Sequence, residues 1–284
     1  MRRIVLGPFN RVEGDLEISL DVDAGQVVAA RVNSPLFRGF EQLLIGRAAQ
    51  DALVVVPRIC GICSVAQSAA AAAALADLCA VETPVNGRLA RHLVQATENL
   101  ADHLTHFYLF FMPDFARVDY VDRNWHAPVA ARFAAVAGSA APVVLVARAN
   151  FLKLLGFLAG KWPHTLALQP GGSTRAIGSA EVVRILALLR GFRAFLEAEL
   201  LGDTLESFAA LASEAELRAW GEGRGGDFPS FLQAARKFLA VGLQTAAGVP
   251  LQCDEPPGFR SFRIGLFGLE KLHNPERTVD NLAK

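Results

Sequence analysis

The first thirty residues alternate in character. In "DLEISLDV" (residues 15–22) polar and apolar side chains exchange every residue, "DAGQ" reads as a turn, and "VVAARVN" (27–33) resumes the pattern. Period-two alternation puts one set of side chains on one face of a strand, so residues 3–33 predict a β-hairpin with one buried face. After Gly39 the pattern changes, and residues 40–49 predict a short helix. From Ser64 it becomes helical in earnest. "SVAQSAAAAAALADLCA" is built from strong helix formers. Asn86 is a candidate cap for a helix over "GRLARHLVQATENLADHLTHFYLFF", which must stop before Pro113.

Two further helices are predicted over residues 129–160 and 179–201, with the Pro/Gly loop "KWPHTLALQPGGSTR" between them. Glycine and charge cluster in "WGEGRGGDFP" (220–229) and predict a break. Beyond about residue 248 the periodicity is weak and proline and glycine are frequent. No internal repeat is visible. The alanine run at 69–74 is low in complexity, and in a helix it permits close packing. The resulting expectation is a mostly α fold, a helical bundle preceded by a small β element. By segment this gives an N-terminal β element at 1–35, a helical core at 36–235 and a divergent tail at 236–284.

Composition narrows the function classes. Of 284 residues 52% are hydrophobic and 20% charged, enough apolar material for a large core. Lys plus Arg equals Asp plus Glu at 28 each, so no basic excess points to nucleic acid or an anionic membrane. The apolar runs "ALVVVP" and "APVVLVA" are each far shorter than the roughly 20 residues of a membrane-crossing helix, so no membrane span is expected. The start, "MRRIVLGPFNRVEGD", meets polar residues too early for a signal-peptide core. A cytoplasmic location is the expectation.

The four cysteines do not form a secreted disulfide pattern, and two of them, Cys60 and Cys63, share one tight turn in "PRICGICS". Thiolates of a Cys-x-x-Cys turn converge on one point and can hold a soft metal or form a redox disulfide. Three readings compete: two buried cysteines without chemistry, a zinc knuckle, and a thioredoxin-like dithiol. Zinc would need a second pair, and Cys79 and Cys253 stand alone. A dithiol enzyme would need further strands after the alanine-rich helix.

The neighbouring residues add a family. "PRICGICS" resembles the N-terminal metal-binding motif of nickel–iron hydrogenase large subunits. "NRVEGDLEI" resembles that family's opening strand motif, and "FRGFEQLLIGR" its Arg-Gly-x-Glu segment. "DHLTHFYLFFMPD" and "PHTLALQPGG" resemble its long central helix and the Pro-Gly-Gly loop after it. Catalytic members usually carry a histidine shortly after the second cysteine. Gln67 stands there, and the chain is most similar to the hydrogen-sensing, regulatory branch.

The resemblance implies a fold of the large-subunit type and the reaction H2 → 2 H+ + 2 e−. It implies Cys60 as a terminal nickel ligand and Cys63 as a thiolate bridging nickel to an iron that carries CO and CN. Glu13 becomes the proton-accepting carboxylate, Arg58 an orienting group at the turn, and Glu41 an oxygen ligand of magnesium. An iron–sulfur small subunit is the implied partner, with a sensor kinase in the sensing branch. His103 and His106, i and i+3 on one helix, and Cys79 read as core or supporting residues. His164, in the Pro-Gly-Gly loop, reads as a partner contact.

The family's C-terminal Asp-Pro-Cys-x-x-Cys-x-x-His segment has no counterpart here: Cys253 lies in "LQCDEPPG" without a second cysteine. Two thiolates do not complete a four-thiolate site. The expectation is a truncated large subunit, inactive as an isolated chain. A metal-free scaffold subunit and a dithiol or zinc protein stand as alternatives.

Overall fold

The computed structural model describes residues 2–9, 16–34, 36–239, 245–247 and 262–264. Three antiparallel strands open the chain: β1 (Arg2–Phe9), β2 (Leu16–Asp23) and β3 (Gln26–Asn33), in the order β1-β2-β3. Arg3 pairs with Asp21 and Ile18 with Val32, and the turn after β2 is made by Ala24 and Gly25 in left-handed conformation. The sheet therefore has one strand more than the predicted hairpin, and its buried face is not apolar. Val27, Val28 and Val32 of β3 are exposed. The buried group is Asp21, which accepts Arg3 Nε at 2.7 Å and Arg31 Nη1 at 2.6 Å. These two guanidinium partners hold the Asp21 carboxyl well below the usual carboxylate range, against the opposing effect of burial.

Helices follow: α1 (Phe40–Leu43), α2 (Ala52–Val55), α3 (Ser64–Leu78), α4 (Val85–Thr105), α5 (Met112–Phe115), α6 (His126–Phe133) and α7 (Ala140–Ala159). A two-residue ribbon, β4 (Leu168–Gln169) with β5 (Gly172–Ser173), precedes α8 (Ser179–Phe195), α9 (Leu205–Ala209), α10 (Glu214–Gly221) and α11 (Asp227–Leu239). Strands β6 (Thr245–Ala247) and β7 (Phe262–Ile264) form a last pair. The mostly α expectation holds.

Several boundaries differ from the sequence reading. The helix after Gly39 is one turn long. Helix α4 starts at Val85, so Asn86 lies inside it and does not cap it. Proline at 113 has no N–H and clashes with the carbonyl four residues back, and the preceding residues His106–Phe111 widen into a π-helical turn. The predicted 129–160 helix is two, α6 and α7, separated at Ala134–Ser139. The short apolar runs also add up differently in three dimensions. Among the described residues α7 alone is long and apolar enough to cross a membrane by length and composition. It carries Arg148 and Lys153, and it buries Phe151, Leu154, Leu155 and Leu158.

The chain divides into two compact units: residues 1–105 with 148–188, and 106–147 with 189–284. In the first, Leu53 of α2 packs on Ala71, Ala72 and Leu75 of α3, with Ala52 and Val56 beside them. The alanines leave room for that approach. In the second, Phe107, Tyr108, Phe133, Phe228 and Phe231 pack mostly edge to face or tilted. Beside them the Tyr108 hydroxyl donates to Asp227 at 2.7 Å, and Arg132 makes a two-pronged pair with the same carboxylate, both bonds 2.8 Å.

One contact in the first unit requires glycine. The start of α4 and the Gly-Gly ribbon touch backbone to backbone: a Cβ on Gly172 would lie 2.5 Å from Gly87 Cα. Gly171 and Gly172 also have φ of +88° and +133°. Gly87→Ala is expected to destabilise the chain by about 1–3 kcal/mol through overpacking. Gly156, in α7 with open space where its Cβ would be, should do the reverse, Gly156→Ala gaining about 0.5–1 kcal/mol. Thermal denaturation of the two variants checks both signs.

Candidate metal centre

Cys60 and Cys63 lie where a 3-10 turn (Val56–Arg58) passes into α3. Cys60 is buried and Cys63 half-buried. The Cys63 backbone N–H donates to Cys60 Sγ at 3.4 Å, and the Gln67 side-chain amide donates to Cys63 Sγ at 3.8 Å. Cys63 occupies the N-cap position of α3 but its side chain does not cap it. The cap comes from elsewhere.

Glu98, on α4, is 2% exposed. Its carboxylate accepts the Val65 N–H at 2.9 and 3.0 Å, the Ala66 N–H at 3.2 Å and the Ser64 hydroxyl at 3.2 Å. These are the first groups of α3, which have no intrahelical partner. A fourth donor is Trp162 Nε1 at 2.8 Å. The loop holding Trp162 also reaches the turn. His164 donates its backbone N–H to Ser64 Oγ at 3.1 Å, and its Nδ1 lies 2.8 Å from the Pro57 carbonyl, so Nδ1 carries the proton. Its ring lies against Gly61, between the cysteines. Arg148 stacks on the Trp162 ring, 5.5 Å to the centroid, and is fixed by Thr105 Oγ1 at 2.6 Å.

Electrostatics at the turn follow from this arrangement. A cysteine at a helix N-terminus is ordinarily acidified. Cys63 is not: burial and then the neighbouring Cys60 push its thiol up to about 11, with a smaller contribution from the Glu98 charge. The carboxylate already occupies the N–H groups that would stabilise a thiolate. Only the Gln67 amide opposes the shift.

The other predicted residues are placed as follows. Glu13 and Cys253 lie outside the described residues. Glu41 is exposed in the first turn of α1. Arg58 is exposed, and the arginine that bonds the turn backbone is Arg38, donating to the Ile59 carbonyl and stacking over Phe40. His103 and His106 are exposed, the latter stacked on Phe110 and Phe111. Cys79, expected in the core, is exposed because it ends α3 on its open side. Among the described residues no three His, Cys, Asp or Glu side chains come together to hold a metal. The structure thus brings together two soft sulfur donors, whose N–H···S contact is of the kind that tunes metal thiolates, and the chemistry of that pair fits one side of a thiolate-rich nickel–iron site. Sequence reasoning missed Glu98, Ser64 and Trp162. Glu98 was detectable: Val94, Ala101 and Leu104 mark the buried stripe of α4, and an acid falls on it.

In the metal-free chain, peptide-resolved iodoacetamide labelling of Cys63 should develop only as pH approaches 11, well above the ordinary thiol value near 8.5. Gln67→Leu, which removes the one contact favouring the thiolate, should move the midpoint higher still. A midpoint near the ordinary value, or one that falls in the variant, contradicts this account of the turn.

Comparisons with known proteins agree with the geometry. A family model described as nickel-dependent hydrogenase matches residues 38–143, a stretch that contains the cysteine turn and Glu98. The chain is 31% identical over 218 residues to the large subunit of the periplasmic [NiFeSe] hydrogenase of Desulfomicrobium baculatum, covering 70% of this chain and 41% of that protein. To the hydrogenase-2 large chain of Escherichia coli (strain K12) it is 31% identical over 121 residues, 43% of this chain and 20% of that one. Among solved structures it is similar to the Ni-Fe-Se hydrogenase from D. vulgaris Hildenborough in the reduced state, with a TM-score of 0.56 and 28% identity over 69% of this chain and 42% of that chain. It therefore spans less than half the length of these relatives. Family model, relatives and solved structures thus agree that this chain, over a stretch that holds the cysteine turn and Glu98, is similar to the large subunits of nickel-dependent hydrogenases.

Proposed function

We propose that this chain is the N-terminal part of a hydrogenase large subunit, in which Cys60 and Cys63 supply two of the four thiolates of a nickel–iron centre. The observation that carries the reading is the convergence of both sulfurs at one turn, inside the stretch that matches the family. When bound, the metals would supply the activation of H2, giving two protons and two electrons. The chain's own residues hold and shape the turn. Burial keeps Cys63 protonated in the absence of a cation, and a bound divalent metal would expel that proton. The other two thiolates, and the CO and CN ligands of iron, would come from outside the described residues. Glu13, beyond the described residues as well, is proposed as the proton acceptor, and exposed Glu41 as one oxygen ligand of magnesium. Electrons would pass to an iron–sulfur small subunit, the proposed partner.

A finer reading places the protein among hydrogen sensors that signal to a kinase. Gln67 supports it. Where catalytic members resembling this chain carry a titratable histidine, this one sets a neutral amide on the Cys63 sulfur. An amide fixes the sulfur without exchanging protons with it, which suits slow turnover and detection of H2 rather than bulk oxidation.

The isolated 284-residue chain, with half the thiolate set, is expected to show no hydrogen-dependent dye reduction. Titrated with Ni2+, it should nevertheless develop a thiolate-to-nickel absorption band, lost in both Cys60→Ser and Cys63→Ser. Hydrogen uptake with stoichiometric nickel would overturn the half-site reading. Absence of the band, or its survival in the serine variants, would remove the turn from the metal site.

A further inference from the structure

We propose that Glu98 is a positioning residue for the metal-binding turn: a buried, fixed negative charge that anchors both flanks of the Cys60–Cys63 loop and favours a divalent cation there. The proposal rests on the reading of that turn as a ligand pair. It extends that reading to a residue on a different helix.

Three observations carry it. The first concerns what Glu98 cannot do. All four of its partners are donors, the Ser64 hydroxyl, the Val65 and Ala66 N–H groups and the Trp162 indole. A carboxylate so occupied has little capacity left for any further protein donor and serves as an anchor. The second is where the anchor acts. Ser64, Val65 and Ala66 follow Cys63 directly. On the other flank Pro57 is tied through His164, whose backbone N–H bonds the same Ser64 hydroxyl that Glu98 accepts. The two flanks of the turn thus close on one carboxylate-centred network.

The third observation is charge. Among the described residues no lysine or arginine forms an ion pair with Glu98, although it is almost wholly buried. Buried charges are normally paired or sit beside a metal. The nearby arginines are engaged elsewhere: Arg38 on the Ile59 carbonyl, Arg148 on Thr105 and the Trp162 ring. A divalent cation held by the two sulfurs would meet an anion already in place, at no cost in reorganisation.

The test uses the full chain carrying Cys79→Ser and Cys253→Ser, titrated with cadmium chloride and followed by the ultraviolet thiolate-to-cadmium band. Glu98→Gln keeps the side-chain shape and removes the charge, and should weaken cadmium binding roughly 10- to 100-fold, the usual effect of losing a group that supports metal ligands. Leu75→Ala truncates the α2–α3 core but leaves Glu98 and all its partners in place, and should bind cadmium like the background chain even where its thermal midpoint falls. Unchanged affinity in Glu98→Gln overturns the proposal. So does a loss in both variants that merely follows their stability, which would make Glu98 a structural cap only. If the background chain itself binds no more cadmium than a Cys60→Ser version, the metal reading of the turn fails first, and that failure is visible before Glu98 is altered.

Discussion

A helix that begins in a protein interior exposes N–H groups that water cannot reach, and some acceptor must be brought to them. For α3 that acceptor is the Glu98 carboxylate. Ser64 and Val65 are both fully buried, so the demand is strict. Everything known of the cysteine turn follows from how it is met. The helix start is fixed by a residue on α4, the turn before it is held on the Pro57 side by His164, and Trp162 locks the loop that carries His164 to the same carboxylate. Taking the carboxylate away would leave three donors of α3 and one indole unsatisfied at once, each a loss on the order of 1–3 kcal/mol.

The clamp works only because α4 and the Trp162 loop approach closely, and glycine allows that. Gly87 at the start of α4 meets Gly171 and Gly172 of the β4–β5 ribbon backbone to backbone. A side chain on either element would push the loop outward and draw Trp162 and His164 with it. The Gly-Gly sequence and the buried acid are therefore parts of one device, although Gly171 comes 73 positions after Glu98 in the chain. The second compact unit uses different means. Its centre is aromatic, and the buried Asp227 there is satisfied by Arg132, which also bonds Glu199, and by the Tyr108 hydroxyl.

The chemistry of the turn reflects a balance among three effects. A helix N-terminus favours thiolate, while burial and a nearby anion disfavour it. At Cys63 the latter win, burial first and the Cys60 side chain next, with the Glu98 charge adding least. The outcome is a thiol that stays protonated and so resists casual oxidation, since the reactive form of cysteine is the thiolate.

What the sequence by itself determined was local. Alternation gave strands at 16–33 and strong helix formers gave α3 and α4, but the expected stop before Pro113 is not there: the π-helical turn passes into α5, which contains Pro113 near its start. The convergence of two thiols needed only their spacing. Glu98 was missed, although it falls on the apolar stripe of α4, because nothing local said what an acid would do there. Tertiary structure decided the rest, because the partners are distant in the chain. Asp21 turned the expected apolar face of the sheet into an ion pair, since Arg3 and Arg31 reach it only after three strands align. Arg38 rather than its sequence neighbour Arg58 came to bond the turn backbone. Glu98 became a helix cap because α3 and α4 pack together. Such long-range hydrogen bonds leave no periodic trace in a sequence, and only the folded chain shows which donor meets which acceptor.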